Sequence, residues 1–352
     1  MTRRIGVLTY HRSFNYGSYW QARCLVEGLR AMGHDAELLD HADRDVEWRE
    51  ARCLLQPTLP EPTRRQDFAA YKRKGRRLIE AMDRLPLSPR FPLHAPDQAP
   101  AYDAVVVGSD EVWNFRHPWY GGTPLFFGDG LRADRLVAYA ASIGNHDASD
   151  GMREDYAERL TRFAAISVRD DNSRALVQAG LGIDPPLVLD PVLQFPPVIA
   201  QGEEAEPYVL IYGHGFPDWL SAALRHRRGA GGMRMVSVGY RNDCADEQRI
   251  DAGPIEFAEL VAGASAVVTN FFHGCVFALL NNKPLVTAPS AYRFNKVRDL
   301  AAKLGAQRHI VGEDASATML TERLATPPDP AITARIAELR ASSTEFLRAA
   351  LA

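Results

Sequence analysis

The sequence predicts an α/β protein built from two Rossmann-like halves, and three observations lead to this prediction. Short apolar, β-branched segments recur along the chain, and a polar cluster and a helical pattern follow most of them. A proline-bearing segment, 196–207, interrupts the repeat, and the α/β pattern restarts at Tyr208. The length of 352 residues exceeds that of one typical core and suits two domains.

The first half alternates strands with helices. It opens with a strand at 5–9, a polar loop over 11–18 and a helix over 19–32, which Gly33 ends as a C-terminal glycine does. No GxGxxG pattern follows the first strand, which argues against NAD or FAD. Further strands are predicted at 36–39, 104–107, 137–141, 165–168 and 187–189. Since the last four end in polar residues, we expect a site at one edge of a parallel sheet.

The second half repeats the pattern. Strands are predicted at 208–212, 235–238, 266–269 and 284–288, and helices at 255–262, 275–280, 295–304 and 332–351. We therefore predict an N-terminal domain over 1–195, a C-terminal domain over 208–330 and a final helix, 331–352, that crosses between them. Two Rossmann-like halves with a terminal helix are typical of the GT-B architecture, in which the site lies in the interdomain cleft.

Composition excludes several classes of function. The net charge is −3, from 41 basic and 44 acidic residues, so no basic excess favours nucleic acid as a partner. No apolar run is long enough to span a bilayer and the N-terminus lacks a signal-peptide pattern, so we expect a cytoplasmic protein. The four cysteines form no CxxC pair and the ten histidines no HExxH or HxH spacing, so we expect neither a disulfide nor a metal site.

A basic segment, 71–84, contains the run KRKGRR. We interpret this run as an exposed, solvated helix face. A peripheral contact with acidic lipid, or with an anionic acceptor, is the alternative.

The junction of the strand at 266–269 with the following helix is the strongest candidate site. Asn270, His273 and Gly274 lie there, and the first amides of a helix attract anions such as phosphate. The helix dipole disfavours a protonated histidine, so His273 is a plausible acid or base near neutral pH. Gly274 would let a ligand approach the backbone. Alternatively, His273 caps the helix or forms a hydrogen bond inside the core.

Several motifs, in this order along the chain, resemble those of the polysaccharide pyruvyl transferase family. They are GVLTYHRSFNYGSYWQA, DAVVVGSDEVWN, AYAASIG, ISVRDD, VLDPVL, VVTNFFHGCVFALLNNKPLV and FNKVRDLAAKLG, and the resemblance extends across nearly the whole length of the chain. The resemblance implies a GT-B-like fold and transfer of a pyruvyl group from phosphoenolpyruvate, as a ketal, to two hydroxyls of a sugar. Phosphoenolpyruvate is then a co-substrate and no cofactor is implied. The acceptor is a sugar, a glycan or a lipid-linked sugar.

One position departs from the family pattern. Phe271 stands two residues before His273, where the family usually carries serine or arginine. A donor contact that an arginine would make there is missing, so another base compensates or the donor pocket differs.

The chemistry requires an acid, a base and cationic groups for a carboxylate and a phosphate. We predict His273 as acid/base and Arg169 as the donor clamp, since a guanidinium meets an oxyanion bidentately and ISVR matches a donor-binding position of the family. Asp110 is a second acid/base or a turn cap. Further donor-side candidates are Asn270, Gly274, Arg293, Lys296 and His214, of which Arg293 and Lys296 are alternatively surface charges. Candidates for the acceptor are Asn15, Tyr16, Gly17, Trp113 and Asn114, although Gly17 also suits a turn and Trp113 a packed core.

Two other functions fit the same pattern. A GT-B glycosyltransferase that uses a nucleotide-sugar is one. The other is a binding protein that keeps the fold without turnover, which Phe271 leaves open.

Overall fold

The computed structural model describes residues 2–200, 206–229, 232–288 and 290–352. The chain forms two compact units, each containing one five-stranded parallel sheet. The first unit comprises Met1–Glu50, Met82–Pro197 and Ile336–Ala352, and the second comprises Ala51–Ala81 and Val198–Arg335. The α/β class with two Rossmann-like units, on which the GT-B prediction depends, is confirmed.

The strands, in chain order, are β1 Arg4–Leu8, β2 Asp35–Leu38, β3 His41–Ala42, β4 Phe91–Pro92, β5 Ala104–Val107, β6 Leu136–Ala141, β7 Ala165–Val168, β8 Tyr208–Tyr212, β9 Arg234–Val238, β10 Glu247–Arg249, β11 Ala266–Thr269 and β12 Leu285–Thr287.

The α-helices are α1 Tyr16–Ala31, α2 Arg44–Leu55, α3 Phe68–Met82, α4 Glu154–Leu160, α5 Asp171–Leu181, α6 Pro191–Gln194, α7 Asp218–Gly229, α8 Pro254–Gly263, α9 Phe272–Leu280, α10 Ala291–Leu304, α11 Ala317–Ala325 and α12 Pro330–Leu351. None of the helices in the described ranges is long and apolar enough to cross a membrane.

The first sheet has the strand order β2-β1-β5-β6-β7, with every neighbouring pair parallel. Val106 of β5 pairs with Val7 of β1 and with Val137 of β6. All three side chains are fully buried, which explains why these strands read as continuous apolar runs. From β1 the chain adds β2 on one side of the sheet, and it then adds β5, β6 and β7 on the other side, so the strand order reverses between β1 and β5. Ligands of open α/β sheets bind at such a switch point, outside the carboxyl ends of the strands.

The second sheet has the strand order β10-β9-β8-β11-β12, and its neighbouring pairs are again parallel. This is the strand order of the nucleotide-binding Rossmann fold. Its switch point lies between β8 and β11. The carboxyl end of β8 leads into Gly213 and His214, and that of β11 leads into Asn270.

The unit to which segment 51–81 belongs differs from the prediction. The sequence predicts this segment in the N-terminal domain, 1–195, but it belongs to the second unit. Contacts of α3 explain the difference: Lys74 Nζ donates to the Gly239 carbonyl at 2.9 Å, and Arg77 Nη1 donates to Glu256 at 2.6 Å. The other boundary falls between Pro197 and Val198, within the predicted linker at 196–207. Of that linker, residues 201–205 lie outside the described residues.

The last helix, α12, continues from the second unit into the first. In the first unit, Ser343 Oγ accepts a hydrogen bond from the Leu189 amide at 3.0 Å, and Arg340 Nε donates to the Leu193 carbonyl at 2.6 Å. These contacts lie beside the predicted strand at 187–189. That segment forms only one isolated bridge, between Leu187 and Val168, because its next residues bond to α12.

The helices α1 and α9 begin three residues earlier than predicted, and α10 begins four residues earlier, at Ala291 rather than at residue 295. The α1 helix begins at Tyr16 rather than at residue 19, because the Asn15 side chain accepts from the Gly17 amide at 2.7 Å and caps the first turn. The α9 helix begins at Phe272 rather than at residue 275. His273 therefore lies in the first turn of α9, among the amides that lack helical partners.

Candidate functional site

The switch point of the first sheet carries a buried group of charges. Arg169, at the end of β7, is sandwiched between two carboxylates: Nη1 lies 2.9 Å from Asp190 Oδ2 and Nη2 lies 3.3 Å from Asp110 Oδ1. Burial opposes the charge of Arg169, but the two aspartates raise its pKa. The three groups carry a formal charge of −1 together. Arg169 thus has a structural explanation beside the predicted donor clamp, namely that it holds Asp110 in place.

Asp110 is held by its neighbours on several sides. Its Oδ2 accepts from Ser18 Oγ at 2.7 Å and its Oδ1 accepts from the Glu111 amide at 2.9 Å. Its backbone lies at φ 72°, a left-handed conformation that is uncommon outside glycine. Such conformations concentrate at functional sites, so both alternatives for Asp110, acid/base and turn residue, stay in agreement with the geometry.

The three acceptor candidates at the start of α1 form one capped turn. Asn15 is exposed and acts as the N-cap, while the Gly17 amide is its hydrogen-bond donor. Tyr16 is buried. Only Asn15 of the three has an exposed side chain, and a structural turn explains Gly17.

The two acceptor candidates after β5 lie in the core. Trp113 is 1% exposed, its Nε1 donates to the Phe126 carbonyl at 2.9 Å, and its ring stacks on Phe127. Asn114 is equally buried, and its Nδ2 donates to Glu111 and Asn145, each at 2.8 Å. The structure therefore favours the packing alternative for Trp113, because a ring that binds a sugar needs an open face.

The switch point of the second sheet brings the donor-side candidates Asn270 and His214 together. Asn270 is fully buried, and its Nδ2 donates to the His214 carbonyl at 2.7 Å. Gly213, at φ 153°, makes this approach possible, since a Cβ there would lie 2.2 Å from Asn270 Oδ1. Within the described residues, Asn270 Oδ1 is buried without a hydrogen-bond partner. A buried acceptor of this kind carries a cost unless a ligand or water satisfies it.

An aromatic cluster surrounds Phe271 at this edge. Its members are Phe271, Tyr212, His214 and Tyr240. The last three lie edge-on to Phe271, with ring centroids 4.9, 5.3 and 5.4 Å away. Edge-to-face contacts of this kind fix the orientation of the central ring.

Cations lie against this aromatic cluster. Arg293, from α10, has its Cζ 4.4 Å from the centroid of Phe271, and Lys74, from α3, has its Nζ 4.1 Å from that of Tyr240. Burial, and the positive charges of Arg293 and Lys74, lower the pKa of His214 to about 3, so this histidine is neutral at pH 7. Burial likewise lowers the pKa of Lys74 to about 7. Lys296 follows Arg293 by three residues, on the same side of α10, and is buried.

His273 and Gly274 lie in the first turn of α9. His273 is 8% exposed, and its ring lies edge-on to Phe272 with centroids 5.1 Å apart. Gly274 packs against β11: a Cβ there would lie 2.1 Å from Thr269 Oγ1. Close packing of α9 on the strand thus explains this glycine without a ligand.

Sequence reasoning missed Lys74 and Tyr240. The KRKGRR run was interpreted as an exposed face, but Lys74 is 2% exposed. Tyr71, Lys74, Gly75 and Leu78 are all buried and recur at helical spacing, so the periodicity carried a signal that Lys74 faces inward. The other charges of the run, Lys72, Arg73, Arg76 and Arg77, are exposed as predicted.

Neither unit offers a metal centre in its described part, where no group of three or more histidine, cysteine or acidic side chains is placed to hold an ion. Each of the four cysteines is a free thiol.

Among solved structures, UDP-GlcNAc 2-epimerase from Neisseria meningitidis aligns with 98% of this chain and 99% of its own, at 12% identity and a TM-score of 0.49. The UDP-GlcNAc 2-epimerase from Methanocaldococcus jannaschii aligns with 94% of this chain and 95% of its own, at 12% identity and a TM-score of 0.47. The calicheamicin glycosyltransferase aligns with 99% of this chain and 96% of its own, at 16% identity and a TM-score of 0.44. No curated protein sequence matches this chain. The family model "Polysaccharide pyruvyl transferase" matches residues 15–288, which confirms the resemblance of the motifs: the chain belongs to the polysaccharide pyruvyl transferase family.

Proposed function

We propose that this transferase moves the pyruvyl group of phosphoenolpyruvate onto two hydroxyls of a sugar or glycan acceptor as a ketal. One observation carries the donor assignment: Arg293 and Lys74 lie against the aromatic cluster at the switch point of the second sheet. Phosphoenolpyruvate has a carboxylate and a phosphate, and a guanidinium with a lysine amine nearby, at a ligand-binding edge, suits such a pair of anionic groups.

The donor side of the proposal assigns roles to residues of the second unit. Arg293 and Lys296, on one side of α10, contact the phosphate together with the first amides of α9. Asn270 Oδ1, which is buried and unsatisfied among the described residues, accepts a hydrogen bond from the bound donor or its water. His214 is kept neutral by its surroundings, so it adds no charge and lines the site. His273 is the acid/base.

The proposed reaction has two stages. His273 protonates the methylene carbon of phosphoenolpyruvate, which turns it into a methyl group and leaves an oxocarbenium-like centre at C2. A sugar hydroxyl adds to C2 and loses its proton to a base. The C2–O bond to phosphate then breaks, and the second hydroxyl adds and loses its proton. One acceptor proton is balanced by the new methyl group, the other leaves on the phosphate, and no cofactor is required.

For the acceptor we keep Asp110 as the candidate second acid/base, because its carboxylate is oriented by Ser18 and Arg169. A sugar, a glycan and a lipid-linked sugar all present the required pair of hydroxyls. Since phosphoenolpyruvate is an intracellular metabolite, we also propose that the protein acts in the cytoplasm.

The test uses the intact protein in two assays. In a thermal melt, phosphoenolpyruvate should raise the melting temperature, while nucleotide-sugars should not. With a panel of sugars that carry neighbouring hydroxyls, phosphate release should accompany a product whose mass corresponds to a pyruvyl ketal. Stabilisation by a nucleotide-sugar and not by phosphoenolpyruvate would refute the donor assignment and support a glycosyltransferase. Donor binding with no phosphate release across a broad panel would support the inactive binding protein.

A further inference from the structure

We propose that Phe271 is a positioning residue that holds the Arg293 guanidinium over the switch point of the second sheet, where the guanidinium contacts the donor. The inference rests on the proposed function, which supplies the donor.

The first step of the inference is the rigidity of the ring. Phe271 is 8% exposed and three rings of the aromatic cluster meet it edge-on, at interplanar angles of 80–84°. A buried ring with three perpendicular ring neighbours has few alternative orientations. Its backbone is fixed as well, since the Phe271 amide donates to Thr269 Oγ1 at 3.1 Å. Phe271 therefore presents one defined face.

The second step is the contact itself. The Arg293 Cζ lies 4.4 Å from the ring centroid, well inside the range of a cation–π interaction. This contact uses the charge and the flat face of the guanidinium. Arg293 Nη1 also reaches Ser290 Oγ at 3.4 Å, the outer limit of a hydrogen bond. Of these two contacts, the one with the ring is the firmer.

The third step is the electrostatic effect at the switch point. Burial comes first in lowering the pKa of His214, and the positive charge of Arg293 comes next. Arg293 is therefore close enough to act on a group at the carboxyl end of β8. A ring does not neutralise a cation, so a guanidinium held this way keeps its attraction for an anion.

The experiment is a double-mutant cycle on the intact protein with Phe271→Leu, Arg293→Met and the double variant. Cation–π contacts of about 0.5–2 kcal/mol correspond to an increase of about two- to thirtyfold in the dissociation constant of phosphoenolpyruvate. We expect Phe271→Leu to weaken donor binding by that factor with kcat changed less than about twofold. In the Arg293→Met background, Phe271→Leu should have no further effect. Phe271→Tyr, which keeps the ring, should retain wild-type affinity.

A matched control lies on the same helix. Phe294 is exposed, and the Arg298 Cζ lies 5.9 Å from its ring, so Phe294→Leu removes a similar pair away from the aromatic cluster and should leave donor binding unchanged. If Phe271→Leu does not fold, Phe271→Met fills the buried space and serves in its place. Equal donor affinity in the wild type and the folded Phe271 variant, or additive effects in the cycle, would overturn the positioning role while the proposed function stands. A wild type that does not bind phosphoenolpyruvate would overturn both.

Discussion

At the residue scale, the two polar edges hold buried charge by different means. Arg169 of the first unit is matched by two carboxylates, whereas Arg293 and Lys74 of the second unit lie over aromatic faces. A carboxylate pairs with a positive charge directly, whereas a ring interacts with it through its electron-rich face. At the first edge this pairing fixes the orientation of Asp110, and the second edge is the one to which we assign the anionic donor in our proposal.

His273 is the residue on which the proposed mechanism depends. Loss of a general acid/base costs ~10²–10⁴-fold in rate, so His273→Asn should reduce turnover by that factor. Phosphate release and the melting temperature, measured on one preparation, provide the test, with His226→Asn on the exposed part of α7 as control. We expect the melting temperature to change little. Normal turnover per folded molecule in an unstable variant would instead identify His273 as a core residue.

Arg169→Lys separates a donor clamp from a positioning role. Lysine keeps the charge but cannot reach two carboxylates with a rigid fork. Because Arg169 is engaged by Asp110 and Asp190, we expect lower stability and a lower kcat, with the KM for phosphoenolpyruvate within about twofold of wild type. Melting temperature and steady-state kinetics measure both effects. A large increase in that KM at unchanged stability would restore the donor clamp predicted from the sequence.

Lys74 should make stability depend on pH. Burial lowers its pKa from 10.5 to about 7, so between these values the unfolded chain binds more protons than the folded one and stability rises with pH. Below about pH 7 the full cost of burying the charge is present. Lys74→Met removes this dependence, so the variant's unfolding free energy should rise less than that of the wild type from pH 7 to 10. Parallel pH profiles would show that Lys74 keeps an ordinary pKa in the folded protein.

At the element scale, the starts of α1 and α9 carry several of the candidate residues, and they are harder to predict than the strands. The strands at 104–107, 165–168, 208–212 and 266–269 agree with the structure to the residue, since parallel strands buried on both faces read as unbroken apolar runs. The first turns of α1 and α9 contain polar or glycine residues that read as loop. Only the Asn15 cap, a geometric feature, assigns Tyr16 and Gly17 to the helix.

Asn15 provides the test at the start of α1. Asn15→Ala removes the cap and should lower the free energy of unfolding by about 1 kcal/mol, whereas Asn15→Ser keeps a capping oxygen and should cost a few tenths. Chemical denaturation of both variants measures this difference. If Asn15 is only a cap, activity per folded molecule is the same in both. An equal loss of activity in the two variants, whatever their stability, would support the predicted contact with the acceptor.

At the scale of the whole molecule, the periodicity of the sequence does not predict which segments of the chain belong to which unit. The break near residue 196 was predicted because composition changes there. The assignment of 51–81 to the second unit was not, because it depends on contacts more than 160 residues apart along the chain, such as that of Lys74 with Gly239. Local patterns do not encode which remote carbonyl a lysine will meet. For the same reason the aromatic cluster, drawn from three separate strand ends, could not be assembled from sequence.

The final helix supplies the test at this scale, because its Ser343 binds the first unit from the far end of the chain. Ser343 is fully buried and its Oγ is the acceptor for the Leu189 amide at 3.0 Å. Ser343→Ala removes the hydroxyl without adding atoms and leaves that amide without its acceptor, which should cost about 1–3 kcal/mol. Ser342→Ala, on the exposed side of the same turn, controls for helix propensity. Hydrogen exchange measures the effect locally: amides of β5 and β6 should exchange faster in Ser343→Ala, and those of β8 and β11 should not change. Equal protection in the two variants would show that α12 adds nothing to the first unit through this residue.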